Sequence, residues 1–165
     1  MNPLLNNLLL IFTIGAGATA VMDAWLLLLQ RRGIPTLNFA FVGRWVGHLF
    51  RGKIHHSAIT KSEPIRGELS LGWIMHYATG IAFAALLLGL TGMSWAQQPT
   101  LLPALAVGML TVAIPLFLIQ PAMGAGIASS KTPNPMRNCL KSLANHSVFG
   151  LGMYLIATLI ATLTP

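Results

Sequence analysis

Four apolar runs, each long enough to cross a bilayer, constrain this chain more than any other feature. They cover residues 8–30, 69–91, 100–120 and 142–163. A hydrocarbon core about 30 Å thick takes about 20 helical residues. A backbone in that medium must satisfy its own hydrogen bonds, which a helix does and an open loop does not. The expected fold is therefore all-α: an integral membrane four-helix bundle, with residues 1–165 forming one domain. Composition agrees, at 55% hydrophobic and 8% charged, where soluble domains carry about 25% charged residues. A cleaved leader is the competing reading of the first run. It fits poorly, because no Lys or Arg precedes the run, Arg31–Arg32 follow it, and its apolar core is too long.

Charge gives the orientation. Seven of the ten Lys and Arg residues lie between the first two runs, and Lys131, Arg137 and Lys141 lie between the last two. The positive-inside rule then places both loops in the cytoplasm and both termini on the other side. A formal charge of +7 beside long apolar runs points to the bilayer and its anionic headgroups as partner, and away from nucleic acid. The lone Cys139 excludes an internal disulfide and suits a reducing compartment. Trp25, Trp73 and Trp95 fall near expected helix ends, where an amphipathic ring prefers the interface.

The first loop contains a short amphipathic helix over residues 37–51, "LNFAFVGRWVGHLFR". Phe41, Val42, Trp45, Val46, Leu49 and Phe50 share one side, while Arg44, His48 and Arg51 follow at i, i+4 and i+7 on another. Such a helix suits the cytoplasmic leaflet, with Arg44, His48 and Arg51 meeting headgroups or the mouth of a polar site. Docking on the bundle is the alternative, since Gly43 and Gly47 permit close approach. His55 and His56 follow in a polar, turn-rich stretch and read as solvated. In the second loop "GAGIASSK" lacks the spacing of a phosphate-binding loop and does not join a strand to a helix.

Helices in lipid approach through small residues. At a spacing of four, the first run carries Gly15, Thr19 and Asp23, and the second Gly72, His76, Gly80 and Ala84. The last carries His146 and Gly150. Each ionisable residue thus lies on its helix's small side. Asp23 stands eight residues before Arg31, His76 eight after Glu68, and His146 five after Lys141. These separations place them roughly 8–12 Å inside the charged boundary, in the cytoplasmic leaflet. Gln120 marks a shallower level. A polar site of Asp23, His76, His146 and Gln120 is the functional expectation, since intramembrane ionisable residues mark ion, proton or solute pathways. The bland alternative is hydrogen-bond glue, worth ~0.6 kcal/mol per contact.

The strings "GATAVMDAW", "FVGRWVGHL", "LGWIMHYATGIAFA", "PTLLPALAVGMLTVAIPLFLIQPAMGAGIASSKTPNP" and "HSVFGLGMYL" resemble an uncharacterised family of bacterial inner-membrane proteins, domain of unknown function 2938. The resemblance spans nearly the whole chain and implies a bacterial multi-pass membrane protein. It brings no activity, cofactor or catalytic residue. From the residues themselves, a small binding or transport protein is the first reading. A metal- or haem-binding protein using Asp23, His76 and His146 is the second, as two His and a carboxylate form a known iron ligand set; the sequence requires no cofactor. A structural or accessory subunit is the third. Four helices make a narrow bundle, so a homo-oligomer fits a transport path. Enzyme chemistry has little support: no G-x-S-x-G motif occurs, and Cys139 has only His146 within two turns.

Overall fold

A computed structural model describes residues 2–163; Met1, Thr164 and Pro165, and with them the expected positions of the two ends, lie outside the described residues. The described residues are all-helical, without a strand. Four helices are long and apolar enough to cross a membrane: α1 (Pro3–Arg31), α3 (Glu68–Thr91), α4 (Leu101–Ala122) and α5 (Pro135–Leu163). A shorter helix, α2 (Phe39–Leu49), lies in the first loop.

Local chemistry sets the ends of these helices. The Asn2 side chain accepts the Leu4 N–H, and Pro3 occupies the first turn of α1, where a missing N–H costs nothing. At the other end Gly33, at φ +71, donates to the Gln30 carbonyl, and Ile34 donates to that of Leu29. This paired closure caps the last carbonyls, and Pro35 prevents continuation. Asn38 caps α2 by accepting the Ala40 N–H at 3.0 Å. Pro115 lacks the N–H that an α-turn requires, and α4 answers with a π-helical turn over Pro115–Ile119. α5 starts seven residues before the apolar run expected there. Its first turns, Pro135–Lys141, are polar and extend the helix beyond the hydrophobic stretch.

The chain forms two compact units. The first comprises Met1–Pro35, Tyr77–Thr111 and Asn145–Pro165. It is a bundle of segments from all four long helices. Its core holds Ile14 and Ala18 of α1, Phe83, Ala84, Leu87 and Leu88 of α3, Ala104 and Val107 of α4, and Phe149, Met153 and Ala157 of α5. Backbones touch at the small residues. A Cβ on Gly15 would meet the backbone of Gly80 and Ile81, and one on Gly80 would overlap the Thr19 hydroxyl. A Cβ on Gly150 would stand 2.8 Å from the Ala104 carbonyl oxygen.

The second unit comprises Thr36–His76 and Val112–Ala144. Here α2 lies against the first turns of α3. A Cβ on Gly43 would overlap the Glu68 carbonyl, and one on Gly72 would overlap that of Phe39. Two backbone hydrogen bonds, the His56 N–H to the Ala122 carbonyl and the Ile59 N–H to that of Met123, both 2.9 Å, hold the loop after α2 to the end of α4.

The contacts at Gly80 and the open space around Gly89 give a paired expectation. Gly80→Leu forces a side chain into Thr19 and should lower stability by about 1–3 kcal/mol or more. Gly89→Ala meets nothing within 4 Å and should be neutral or stabilising by about 0.5–1 kcal/mol. Unfolding of the purified protein in mixed micelles compares the two; equal tolerance at both positions contradicts the packing described.

Candidate functional site

In the first unit, polar side chains on the spans take partners on other helices. The Asp23 carboxylate of α1 accepts a hydrogen bond from the Tyr77 hydroxyl of α3 at 2.9 Å. One turn of α1 holds both Asp23 and Trp25, whose indole N–H donates to the Asn145 side-chain oxygen of α5 at 3.1 Å. On α4 the Thr111 hydroxyl lies 2.7 Å from the Gly108 carbonyl and 3.1 Å from Nδ1 of His146. A hydroxyl has one proton, and the shorter contact to a carbonyl uses it. Thr111 therefore accepts from His146, so Nδ1 carries a proton and the neutral ring keeps its lone pair on Nε2. Phe83 stands beside that ring, with centroids 6.2 Å apart.

Of the three acids, Asp23 is the one set well inside a span: Glu63 lies in a loop and Glu68 is the first residue of α3. A carboxylate can only accept, so it needs donors from elsewhere in the protein. Tyr77 supplies one.

The remaining expected site residues lie in the second unit. His76 packs its ring on Phe39, centroids 4.3 Å apart, and meets the edge of Trp73 at 5.7 Å. Gln120 accepts the Ser129 hydroxyl proton at 2.7 Å through its side-chain oxygen. Ser129 is buried and, with Ala128, adopts a left-handed backbone, φ +61 and +49. The Cys139 thiol donates to the Ala128 carbonyl at 3.2 Å. Among the described residues, no group of three or more His, Cys, Asp or Glu side chains is placed to hold a metal ion.

The sequence left two readings of α2, headgroup or site-mouth contact and docking through Gly43 and Gly47. In the structure Gly43 meets the Glu68 backbone and Gly47 the Ile65 side chain, and Arg44 and His48 are buried. Arg44, 7% exposed, forks onto Glu68, with Nε to Oε2 at 2.9 Å and Nη2 to Oε1 at 2.8 Å. Its Nη1 donates to the carbonyls of Ser62 and Ile59 at 3.1 and 3.3 Å. Hydrogen bonding to Glu68 raises the Arg44 pKa above its ordinary value, against the opposing effect of burial. Glu68 also accepts the Ile65 N–H at 3.0 Å. These partners take four of the five guanidinium N–H donors. Of the three basic residues, Arg51 remains exposed.

His48 is covered through a partner that the sequence reading left in solvent. Its Nδ1 lies 2.8 Å from Nε2 of His56, with the rings stacked at 5.0 Å. His56 is buried while its neighbour His55 is exposed, and the Nδ1 atom of His56 has no hydrogen-bond partner. Sequence reasoning missed Tyr77, Thr111, Asn145, Glu68 and His56. Tyr77 was open to view beside His76, and Glu68 is the one acid at the start of a span facing a basic loop. His56 left no signal.

Burial, followed by the nearby positive charges of His48 and Lys53, lowers the His56 pKa below its ordinary 6.5. The unfolded chain then binds more protons than the native one as pH falls below that value. Stability of the second unit should be full above pH 6.5 and decline as pH falls toward the depressed native value. Hydrogen exchange across residues 48–62 should quicken on acidification in wild type, and His56→Gln should flatten that dependence. An acid response unchanged by the substitution assigns it to other groups.

The comparisons with known proteins add a family and little else. No curated protein and no solved structure matches the chain. The family model described as "Protein of unknown function (DUF2938)" matches residues 12–160. That match runs from within the first long helix to within the last and takes in the three helices between them, and the chain belongs to this family.

Proposed function

We propose that this is a small multi-pass binding or transport protein of the bacterial inner membrane. Its intramembrane polar groups near the cytoplasmic leaflet, Asp23 foremost, handle protons, an ion or a small polar solute. The observation that carries the reading is the Asp23–Tyr77 hydrogen bond, 2.9 Å long, between two helices of span length. An ionisable carboxylate is expensive at such depth, and such residues mark functional pathways by default. Glue could be made from Ser, Thr or Asn at lower cost. His146, fixed through Nδ1 by Thr111, offers a second group able to exchange a proton. The orientation proposed follows from the ten cations in the two long loops, with both ends on the non-cytoplasmic side.

Two measurements test this. Reporter fusions after Pro165 and at Lys131 should report opposite sides of the membrane; the same side for both contradicts the orientation. Proteoliposomes loaded with a pH-sensitive dye and given an imposed potential should show proton or alkali-cation flux above protein-free vesicles. Asp23→Asn keeps the shape, removes the charge and should abolish the flux, while Tyr77→Phe should reduce it about ten-fold, the weight of one hydrogen bond to a charged group. If Asp23→Asn lowers thermal stability modestly and leaves flux, or growth of the producing cell, unchanged, Asp23 is glue and the reading fails.

A further inference from the structure

The inward turn of Arg44 and His48 fixes what α2 shows to the outside. With Gly43 and Gly72 at backbone contact and Arg44 forked onto Glu68, the opposite stripe of the helix is Phe41, Val42, Trp45 and Leu49. Every one of these is apolar. Leu49 is 37% exposed, and past the helix end Phe50 is 82% and Ile54 52% exposed. The Trp45 indole N–H donates to the Ile54 carbonyl at 2.9 Å, which ties the turn after α2 to the same surface. Arg51 and Lys53, both exposed, stand between Phe50 and Ile54 in the chain.

Two further observations say what covers this surface. Glu68 is the first residue of α3, a helix long and apolar enough to span a bilayer. Its ion pair with Arg44, 2.8 Å long, therefore holds α2 at the level where a span ends. The second charge balance is equally one-sided. Within the same unit Arg51, Lys53, Lys61, Arg66, Lys131 and Arg137 are exposed, against Glu63 as the exposed acid. A second copy of this chain would bring the same cations against them. An anionic leaflet would bring the complement.

We propose that the outer stripe of α2 and the turn after it form an anionic-phospholipid contact, with Trp45, Leu49, Phe50 and Ile54 entering the boundary between headgroups and acyl chains and Arg51 and Lys53 meeting lipid phosphates. The side chains have the chemistry of an interfacial helix, an apolar face flanked by cations and carrying a Trp. Of Arg44, His48 and Arg51, expected from the sequence at headgroups or at the mouth of a polar site, this contact uses Arg51, which is exposed. It stands apart from the Asp23 reading and shares no residue with it.

The test uses the full chain with Cys139→Ser and a nitroxide at Phe50→Cys, in nanodiscs with and without phosphatidylglycerol. Ile54→Cys serves as a second site and Lys61→Cys as a solvent reference. Labels at 50 and 54 should be reached by oxygen dissolved in lipid and shielded from an aqueous nickel chelate in the anionic discs, with the label at 61 showing the reverse. Arg51→Glu with Lys53→Glu should shift the label at 50 toward water, by roughly five-fold in the inserted fraction per cation lost. Free access of the chelate at both 50 and 54 in anionic discs overturns the proposal. Spin–spin broadening between copies labelled at 50 also overturns it, assigning the face to a second copy. So does insertion that ignores the charge reversals.

Discussion

A polar group carried into hydrocarbon must find its partner inside the protein, and the first unit is arranged around that constraint. Its threonines satisfy it locally. The hydroxyls of Thr13, Thr19, Thr91 and Thr158 each donate to the carbonyl four residues earlier at 2.8–2.9 Å and ask nothing of other helices. Trp25 and Asn145 solve it between α1 and α5, and Thr111 with His146 between α4 and α5. Asp23 cannot use the local solution, because a carboxylate has no proton to give its own backbone. Its dependence on Tyr77 binds α1 to α3 at a place where Gly15, Gly80 and Thr19 already bring those helices together.

In the second unit the same constraint acts on cations. Arg44 is buried because Glu68 and two backbone carbonyls supply acceptors for its fork. A lysine offers a point charge and could not hold two parallel bonds to Glu68 while reaching Ser62 and Ile59. Breaking such a pair from one side leaves a buried charge without compensation and typically costs about 3–5 kcal/mol. The contact also decides the direction in which α2 faces, so its apolar stripe turns outward as a consequence of where its arginine is satisfied.

The sequence made the spans legible because hydropathy over about 20 residues is a strong signal. It was weaker at their ends. Pro135–Lys141 is helical yet polar, so a hydropathy window cannot see it, while the π-helical turn at Pro115 follows from a missing N–H visible to any reader of the chain. Amphipathicity showed that α2 has two unlike sides but not which one faces protein, since a basic side is at home either in water or against an acid. Only the partner decides, and Glu68 lies 24 residues from Arg44 in the chain. His56 was hidden for a similar reason: its burial comes from the end of α4, whose Ala122 carbonyl holds its N–H. Of the candidate site, the ionisable residues of the spans were legible from their cost. Their partners Tyr77, Thr111 and Asn145 are common residue types with no such cost to announce them.

The central claim is that Asp23 is a working ionisable group and not a fixed strut. Isotope-edited infrared spectroscopy follows the Asp23 carboxyl stretch in membrane vesicles as protons or alkali cations are supplied to the cytoplasmic face, with Asp23→Asn giving the baseline. The account predicts a band that responds reversibly to one of them, and that shifts in Tyr77→Phe as the donated hydrogen bond is lost. A carboxyl band that ignores both, whichever face they are supplied to, would contradict it.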